Sequence, residues 1–340
     1  MQGKSQSFEL NGQTIRYRAF ENIVYVLKPA DSRYQTLNVY IPEAYFSGGS
    51  IDGYTAHTAP IFFPNNIGGY MPATAGQPEN DQRAGGKLNA IMVALSKGYV
   101  VASAGARGRT EANGHAPAAI VDLKAAVRYL KANDKVMAGD ANKIISNGTS
   151  AGGALSALLG TSGVSKDYEP YLRQLGAARA NDTIFAVSAY CPITNLEHAD
   201  AAYEWQFNGV NDYQKMDISM LDYKVERKLV KGTLNEAEQS LSGRLKPLFV
   251  PYLNSLKLKD AQGRVLTLDQ NGDGSFKNYV ASFLAKSAQG QLDAGKNLSD
   301  RRWLTVKNGK VSAVDFDKYA AAAGRQKTPP AFDGAVLRAE

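Results

Sequence analysis

The chain has 340 residues, 44% of them hydrophobic, enough to bury the core of one large domain or two smaller ones. Its 39 basic residues outnumber 32 acidic ones and leave a net charge of +7, yet they are scattered and never form a dense run, which argues against a nucleic-acid partner. The single cysteine, Cys191, excludes an internal disulfide and thiolate zinc clusters, and its place in the apolar run 184–193 predicts an inert core position.

The first residues, MQGKSQSFELNGQTIRYRAF, lack the apolar segment of a signal peptide, and no later stretch reaches the ~18 uninterrupted apolar residues of a membrane span. As it stands the sequence predicts a cytoplasmic protein with no membrane partner. A trimmed export signal would leave the same appearance in a secreted or periplasmic protein, and the oligomeric state is left open.

Residues 8–27 and QTLNVYIP (35–42) alternate apolar and polar positions, the period-two pattern of strands with one exposed face. Three continuous apolar runs follow, APIFFP from Ala59, YVVASA from Tyr99 and KIISNG from Lys143, which suit parallel strands covered on both faces. Helices are predicted between them over 80–97 and 117–132; in the second, Ile120, Leu123, Val127 and Leu130 make one apolar stripe. IFAVSAYCPI (184–193) is a fourth buried-strand candidate. Strand and helix in alternation predict an α/β fold with a doubly wound, mostly parallel sheet. After about residue 199 the pattern changes to longer, more polar helical segments over 234–257, 276–288 and 313–323, as a helical insertion or second subdomain would give.

Gly148-Thr149-Ser150-Ala151-Gly152 fits G-x-S-x-G between the strand ending near Asn147 and an Ala/Leu-rich helix, the setting of a nucleophile elbow. The glycines are explained by crowding: side chains two residues either side of a sharply bent serine would collide with the crossing strand and helix. The bend leaves the Ser150 hydroxyl at a helix N-terminus, where the Ala151 amide can donate to a developing oxyanion. In the competing reading Thr149 or Ser150 only caps the helix. A second oxyanion donor is expected from the loop after an earlier strand, and Gly68-Gly69 in FFPNNIGGYMP stand there, with an ordinary glycine-rich turn as the other reading.

The stretches APIFFPNNIGGYMP, SAGARGR, NGTSAGGALSALLG, AVSAYCPITNLEHADAAYEWQF and KTPPAFD together resemble the bacterial tannases, α/β-hydrolase-fold esterases that split galloyl esters and gallotannins. The similarity runs from about residue 20 to the C-terminus. It implies Ser150 as nucleophile and Ala151 with Gly68 or Gly69 as the oxyanion hole, with no cofactor and no metal. It also implies a helical lid inserted after the sixth core strand, giving a hydrolase core over 1–198, a lid over 199–326 and a return to the core from 327 to 340. A lysine and a glutamate that contact galloyl hydroxyls in the family correspond to Lys327 and Glu340, the latter one residue short of the family's spacing.

A nucleophilic serine needs a base, and in this fold the histidine follows the serine and the acid in chain order. The only histidines are His57, His115 and His198, of which two precede Ser150. His198 is the one candidate on the correct side, but the triad histidine normally follows the last core strand, so a structural or substrate-proximal role suits it better. No buried-strand pattern follows TPPAFDGAVLRAE, so the last core strands, the acid and the histidine are expected beyond Glu340. A chain ending there is expected to be inactive or nearly so, with an uncovered sheet edge.

Three further signals point to scaffold. DQNGDGS (269–275) imitates the start of a calcium loop but has Lys277 and Val280 where later ligands belong, so a turn after the strand RVLTL is expected. Arg107 and Arg109 in SAGARGR could bind phosphate, scaffold hydrogen bonding being the safer reading. Tyr203, Trp205 and Phe207 could line a pocket for phenolic rings, although packing between core and lid explains their spacing. The sequence thus predicts a serine carboxylesterase acting on a small galloyl or similar hydroxybenzoyl ester. The alternatives are a feruloyl or short-acyl esterase of the same fold, and a non-catalytic hydrolase-fold binding protein lacking the histidine.

Overall fold

The computed structural model describes residues 3–81, 85–221 and 224–331. It divides into two compact units, Met1–Thr194 and Asn195–Glu340.

The first unit is built on a sheet of seven strands among the described residues, in the order β1-β2-β3-β7-β4-β8-β9. β1 (Lys4–Leu10), β2 (Gln13–Val24) and β3 (Thr36–Pro42) form an antiparallel ribbon, and β3 pairs antiparallel with β7 (Val100–Ala104). From β7 through β4 (Pro60–Pro64) and β8 (Asp140–Thr149) to β9 (Ala186–Tyr190) all pairing is parallel. This is the doubly wound, mostly parallel sheet that the apolar runs predicted.

Both faces are covered. On one, Ile91, Ala94 and Leu95 of α1 (Ala90–Ser96) pack with Tyr17, Tyr40 and Val101. On the other, the predicted stripe Ile120, Leu123, Val127 and Leu130 of α2 (Ala118–Ala132) and Leu155 and Leu159 of α3 (Ala151–Thr161) pack with Val39, Ile61, Phe63, Val100 and Ile144. Val100 and Val101 go to opposite clusters because successive strand residues point to opposite faces, which is why β7 reads as unbroken apolar sequence. α4 (Glu169–Leu175) adds Leu172 and Leu175 to the second cluster.

Two expectations for this unit need correction. The helix predicted over 80–97 is confined to α1. Gly85 and Gly86, at φ +72° and +78°, interrupt it, and β5 (Asn80–Asp81) pairs with β6 (Lys87–Leu88) before the helix starts at its Asn89 cap. The run 184–193 is not a buried strand. β9 lies at the sheet edge, with Phe185 67% and Tyr190 59% exposed, and Cys191 follows it exposed, at φ +43°, rather than in the core.

In the second unit, α5 (Ala199–Phe207) is followed by a hairpin of β10 (Asp212–Leu221) and β11 (Lys224–Thr233). Next come α6 (Glu236–Leu245), α7 (Phe249–Ser255) and α8 (Ser275–Asp293), then a second hairpin of β12 (Leu304–Lys307) and β13 (Lys310–Val314), and α9 (Phe316–Ala323). Neither hairpin was predicted. RVLTL is not a strand: the Asn254 side-chain amide both donates to and accepts from Leu268, doing what a neighbouring strand would do. Trp205 is partly buried and packs against the core of this unit, 5.2–5.5 Å from the Phe249, Phe276 and Phe316 rings. The DQNGDGS stretch is a turn in which Asp269 accepts from the Asn271 and Asp273 amides while Lys277 Nζ holds Asp273. Among the described residues no group of three or more His, Cys, Asp or Glu is placed to hold a metal ion, and no helix is long and apolar enough to cross a membrane.

Candidate active site

From β4 the chain crosses to β7 on one side, whereas β8 lies on the other side of β4 and leads to β9 beyond it. In open α/β sheets the crevice at the carboxyl ends of the two strands where the order reverses is where ligands bind. Here those strands are β4 and β8, and they carry the two motifs singled out in the sequence.

Ser150 ends β8. Its φ of +59° and ψ of −121° lie in a region a serine occupies only under constraint, and its side chain makes no capping hydrogen bond to α3, which removes the helix-cap reading. The constraint is visible in the backbone: Ser150 N–H donates to the Tyr190 carbonyl at 2.9 Å, and its carbonyl accepts from Ala154 at 2.9 Å and Ile193 at 3.3 Å. A Cβ on Gly148 would lie 2.3 Å from the Gly152 oxygen, and one on Gly152 would lie 2.5 Å from Asn65 Oδ1. The glycines are therefore required by the crossing of strand, helix and loop. Ala151 is fully buried at the first position of α3, where its N–H belongs to the positive end of the helix.

The loop leaving β4 is pinned to this elbow. Asn65 Nδ2 lies 3.1 Å from the Asn147 carbonyl, 3.2 Å from the Gly152 carbonyl and 3.0 Å from Ser156 Oγ, while its Oδ1 accepts from Ile67 N–H. The loop then turns through exposed Gly68 and Gly69, the latter at φ +58°, and Met71 N–H closes the turn on the Gly68 carbonyl at 3.1 Å. Arg109 Nε donates to the Gly69 carbonyl at 2.7 Å, and Tyr70 Oη, whose pKa burial raises, donates to the Ile193 carbonyl at 2.8 Å. Arg107 is committed elsewhere, to Asp122 through Nε at 2.9 Å and Nη2 at 2.8 Å. Arg107 is thus scaffold, whereas Arg109 holds the glycine turn. Sequence reasoning did not single out Asn65, Tyr70 or Arg109 for this loop; only Asn65, directly after β4, stood at a position that could have signalled it.

The family described as BD-FAE matches residues 75–236. A tannase from Fusobacterium nucleatum is 54% identical, with a TM-score of 0.85 over 98% of this chain and 72% of that one. A tannase from Lactobacillus plantarum is 45% identical (TM-score 0.82, 97% of this chain and 72% of that one). A tannin acyl hydrolase in complex with ethyl gallate is 46% identical (TM-score 0.80, 97% and 71%). No curated protein matches. This chain belongs to the tannase family.

In this chain Ser150, Ala151, Gly68 and Gly69 all lie in the first unit at the carboxyl edge of β4 and β8. Of the other site residues expected from the sequence, Lys327 and His198 belong to the second unit. Lys327 is an exposed residue of the second unit, its backbone held from both sides: its N–H meets Tyr203 Oη at 3.1 Å, and its carbonyl accepts from Arg325 at 3.2 Å. Arg325 is fully buried, bidentate to the equally buried Glu204 at 2.8 and 2.6 Å. Glu340 lies outside the described residues. His198 closes a short turn before α5, its ring stacked on Tyr252 with centroids 3.6 Å apart. Among the described residues of the first unit, neither His57 nor His115 hydrogen-bonds to Ser150.

Proposed function

We propose that the protein hydrolyses galloyl and related hydroxybenzoyl esters through an acyl-enzyme on Ser150. The observation that carries this reading is the uncapped Ser150 hydroxyl at φ +59° where the strand order reverses, in a chain 46% identical to a tannin acyl hydrolase that holds ethyl gallate. Ser150 Oγ attacks the ester carbonyl carbon and its proton passes to a general base. The oxygen that becomes negative is held by the Ala151 N–H and an amide of the Gly68-Gly69 turn. The carbonyl re-forms as the alcohol leaves, and water then releases the acid from the serine. Lys327 is the side chain assigned to the ring hydroxyls, residues 199–326 are the insertion of such an esterase, and no cofactor enters. His198, whose ring stacks on Tyr252, is the weaker choice of base, because the triad histidine of this fold normally follows the last core strand.

Release of gallate from methyl gallate tests the reading, measured on the full natural chain that carries these residues together with a general base. Ser150→Ala is expected to lower kcat by about 10⁴-fold or more while the fold persists, since removing the nucleophile leaves only binding and oxyanion stabilisation. His198→Ala is expected to retain most of the rate. Faster turnover of methyl ferulate than of methyl gallate would move the protein to the feruloyl reading. Unchanged gallate release by Ser150→Ala would overturn the mechanism, and binding without hydrolysis by the unaltered protein would favour the non-catalytic alternative.

A further inference from the structure

The Gly68–Met71 turn has positive φ at both central residues, +58° at Gly69 and +57° at Tyr70, the signature of a type I′ turn. A tyrosine does not adopt this backbone without cause, and such strain persists where the surroundings over-determine it. Three tethers do so here. Arg109 N–H donates to the Tyr70 carbonyl at 2.8 Å, Arg109 Nε donates to the Gly69 carbonyl at 2.7 Å, and Tyr70 Oη donates to the Ile193 carbonyl at 2.8 Å. The last tether reaches the nucleophile, because Ile193 N–H in turn donates to the Ser150 carbonyl. Close approach of the two segments is built in: a Cβ on Gly108 would stand 2.1 Å from Pro72 N.

In a trans peptide the carbonyl and the following N–H point in opposite directions. The Gly68 carbonyl is turned inward onto Met71 N–H, so the Gly69 N–H points out of the turn. The Gly69 carbonyl is drawn to Arg109, so the Tyr70 N–H points away from it. Two adjacent peptide planes are thereby fixed, one by the turn and one by a side chain.

We propose that Tyr70 and Arg109 are positioning residues for ester hydrolysis: together they hold the Gly68–Met71 turn so that its outward amides form the second half of the oxyanion hole, and they tie that turn to the backbone of Ser150. The inference rests on the reading of Ser150 as nucleophile. An oxyanion donor acts on the transition state and not on the bound ester, so loosening it lowers kcat and spares KM.

The test compares the full natural chain that carries these residues, unaltered and as Tyr70→Phe, Arg109→Ala and Arg109→Lys, in three measurements: methyl gallate kinetics, the rate of Ser150 labelling by a fluorophosphonate, and thermal unfolding. The fluorophosphonate places its phosphoryl oxygen where the oxyanion forms. Tyr70→Phe and Arg109→Ala are expected to lower kcat about 5- to 50-fold, less than the ~10²- to 10³-fold loss from deleting a donor outright, with KM within about twofold. Labelling should slow in parallel, Arg109→Lys should recover part of both losses, and Tm should stay within a few degrees. Unchanged kcat and labelling in both truncated variants overturn the proposal, as do losses that follow a fall in Tm without rescue by lysine. Should the unaltered protein label at Ser150 but leave methyl gallate intact, the substrate assignment fails, and the ratios of labelling rates still decide the roles of Tyr70 and Arg109. An unaltered protein that neither labels nor hydrolyses overturns both.

Discussion

Gly152 shows how little freedom the sequence leaves around the nucleophile. It is helical, so an alanine there would ordinarily favour α3, but its Cβ would come within 2.5 Å of Asn65 Oδ1 and 2.8 Å of the Ile67 carbonyl. Either Asn65 gives up its bridge from the loop to the elbow, or α3 shifts and takes the Ala151 amide with it. Gly152→Ala is therefore expected to cost about 1–3 kcal/mol of stability by overpacking. It is also expected to cost about 10²-fold in kcat, because a displacement near 1 Å is enough to misalign a reacting centre. Gly290, near the end of α8, supplies the contrast: nothing lies within 4 Å of its Cβ position, so Gly290→Ala should gain about 0.5–1 kcal/mol and leave activity alone. Urea unfolding and methyl gallate kinetics on the two variants check both halves, and equal effects would mean that crowding at Gly152 is not what the elbow depends on.

At the scale of elements, α2 carries more than its apolar stripe. Its fully buried Lys124 donates to Asp182 Oδ1 at 3.0 Å, and Arg128 donates through Nε to Asp182 Oδ2 at 2.9 Å. Burial alone would raise the Asp182 carboxyl, but the Val164 N–H, the Lys124 ammonium and the Arg128 guanidinium outweigh it and hold the pKa below the usual value. The sign follows: a carboxylate whose pKa is depressed by folding stabilises the protein above its unfolded pKa of about 4, and that stability is lost as pH falls through the lower folded value. Asp182→Asn is expected to cost about 3–5 kcal/mol at neutral pH, because it strands the buried lysine. It should also flatten the acid limb of the stability curve below about pH 4, where the unaltered protein steepens. Denaturant unfolding from pH 7 to pH 3 reads both effects; a parallel acid limb in the variant would assign the acid sensitivity to other carboxylates.

What the sequence showed of such elements depended on hydrophobic contrast. β4, β7 and β8 were legible because both faces are covered, and α2 because one stripe is. The β10–β11 hairpin was not: its strands pair with each other and, through one bridge from Tyr213, with Arg325, and with Met216 and Leu229 half exposed its described residues offer little hydrophobic contrast. The elbow was legible because its glycines are sterically obligatory. Tyr70 and Arg109 were not, since what they do is hold backbone carbonyls, and no residue pattern records which carbonyl a side chain will meet.

At the scale of the whole molecule, β9 has a partner strand on one side only among the described residues, with Phe185, Val187 and Tyr190 exposed at or beside it. A net charge of +7 disfavours indiscriminate association between copies, so self-association of these 340 residues taken by themselves is expected at a sheet edge, and the β9 edge is more apolar than the β1 edge, KSQSFEL. Phe185, the most exposed of the three, immediately precedes the strand, and a lysine there would set a charge beside every edge-to-edge pairing without touching β8. The 340-residue chain by itself is expected to show a weight-average mass that rises with concentration in sedimentation equilibrium, more steeply in high salt, where the net charge is screened. Phe185→Lys should move the same samples towards monomer at low salt. Identical masses for the two proteins across concentration and salt would show that β9 is not the associating surface.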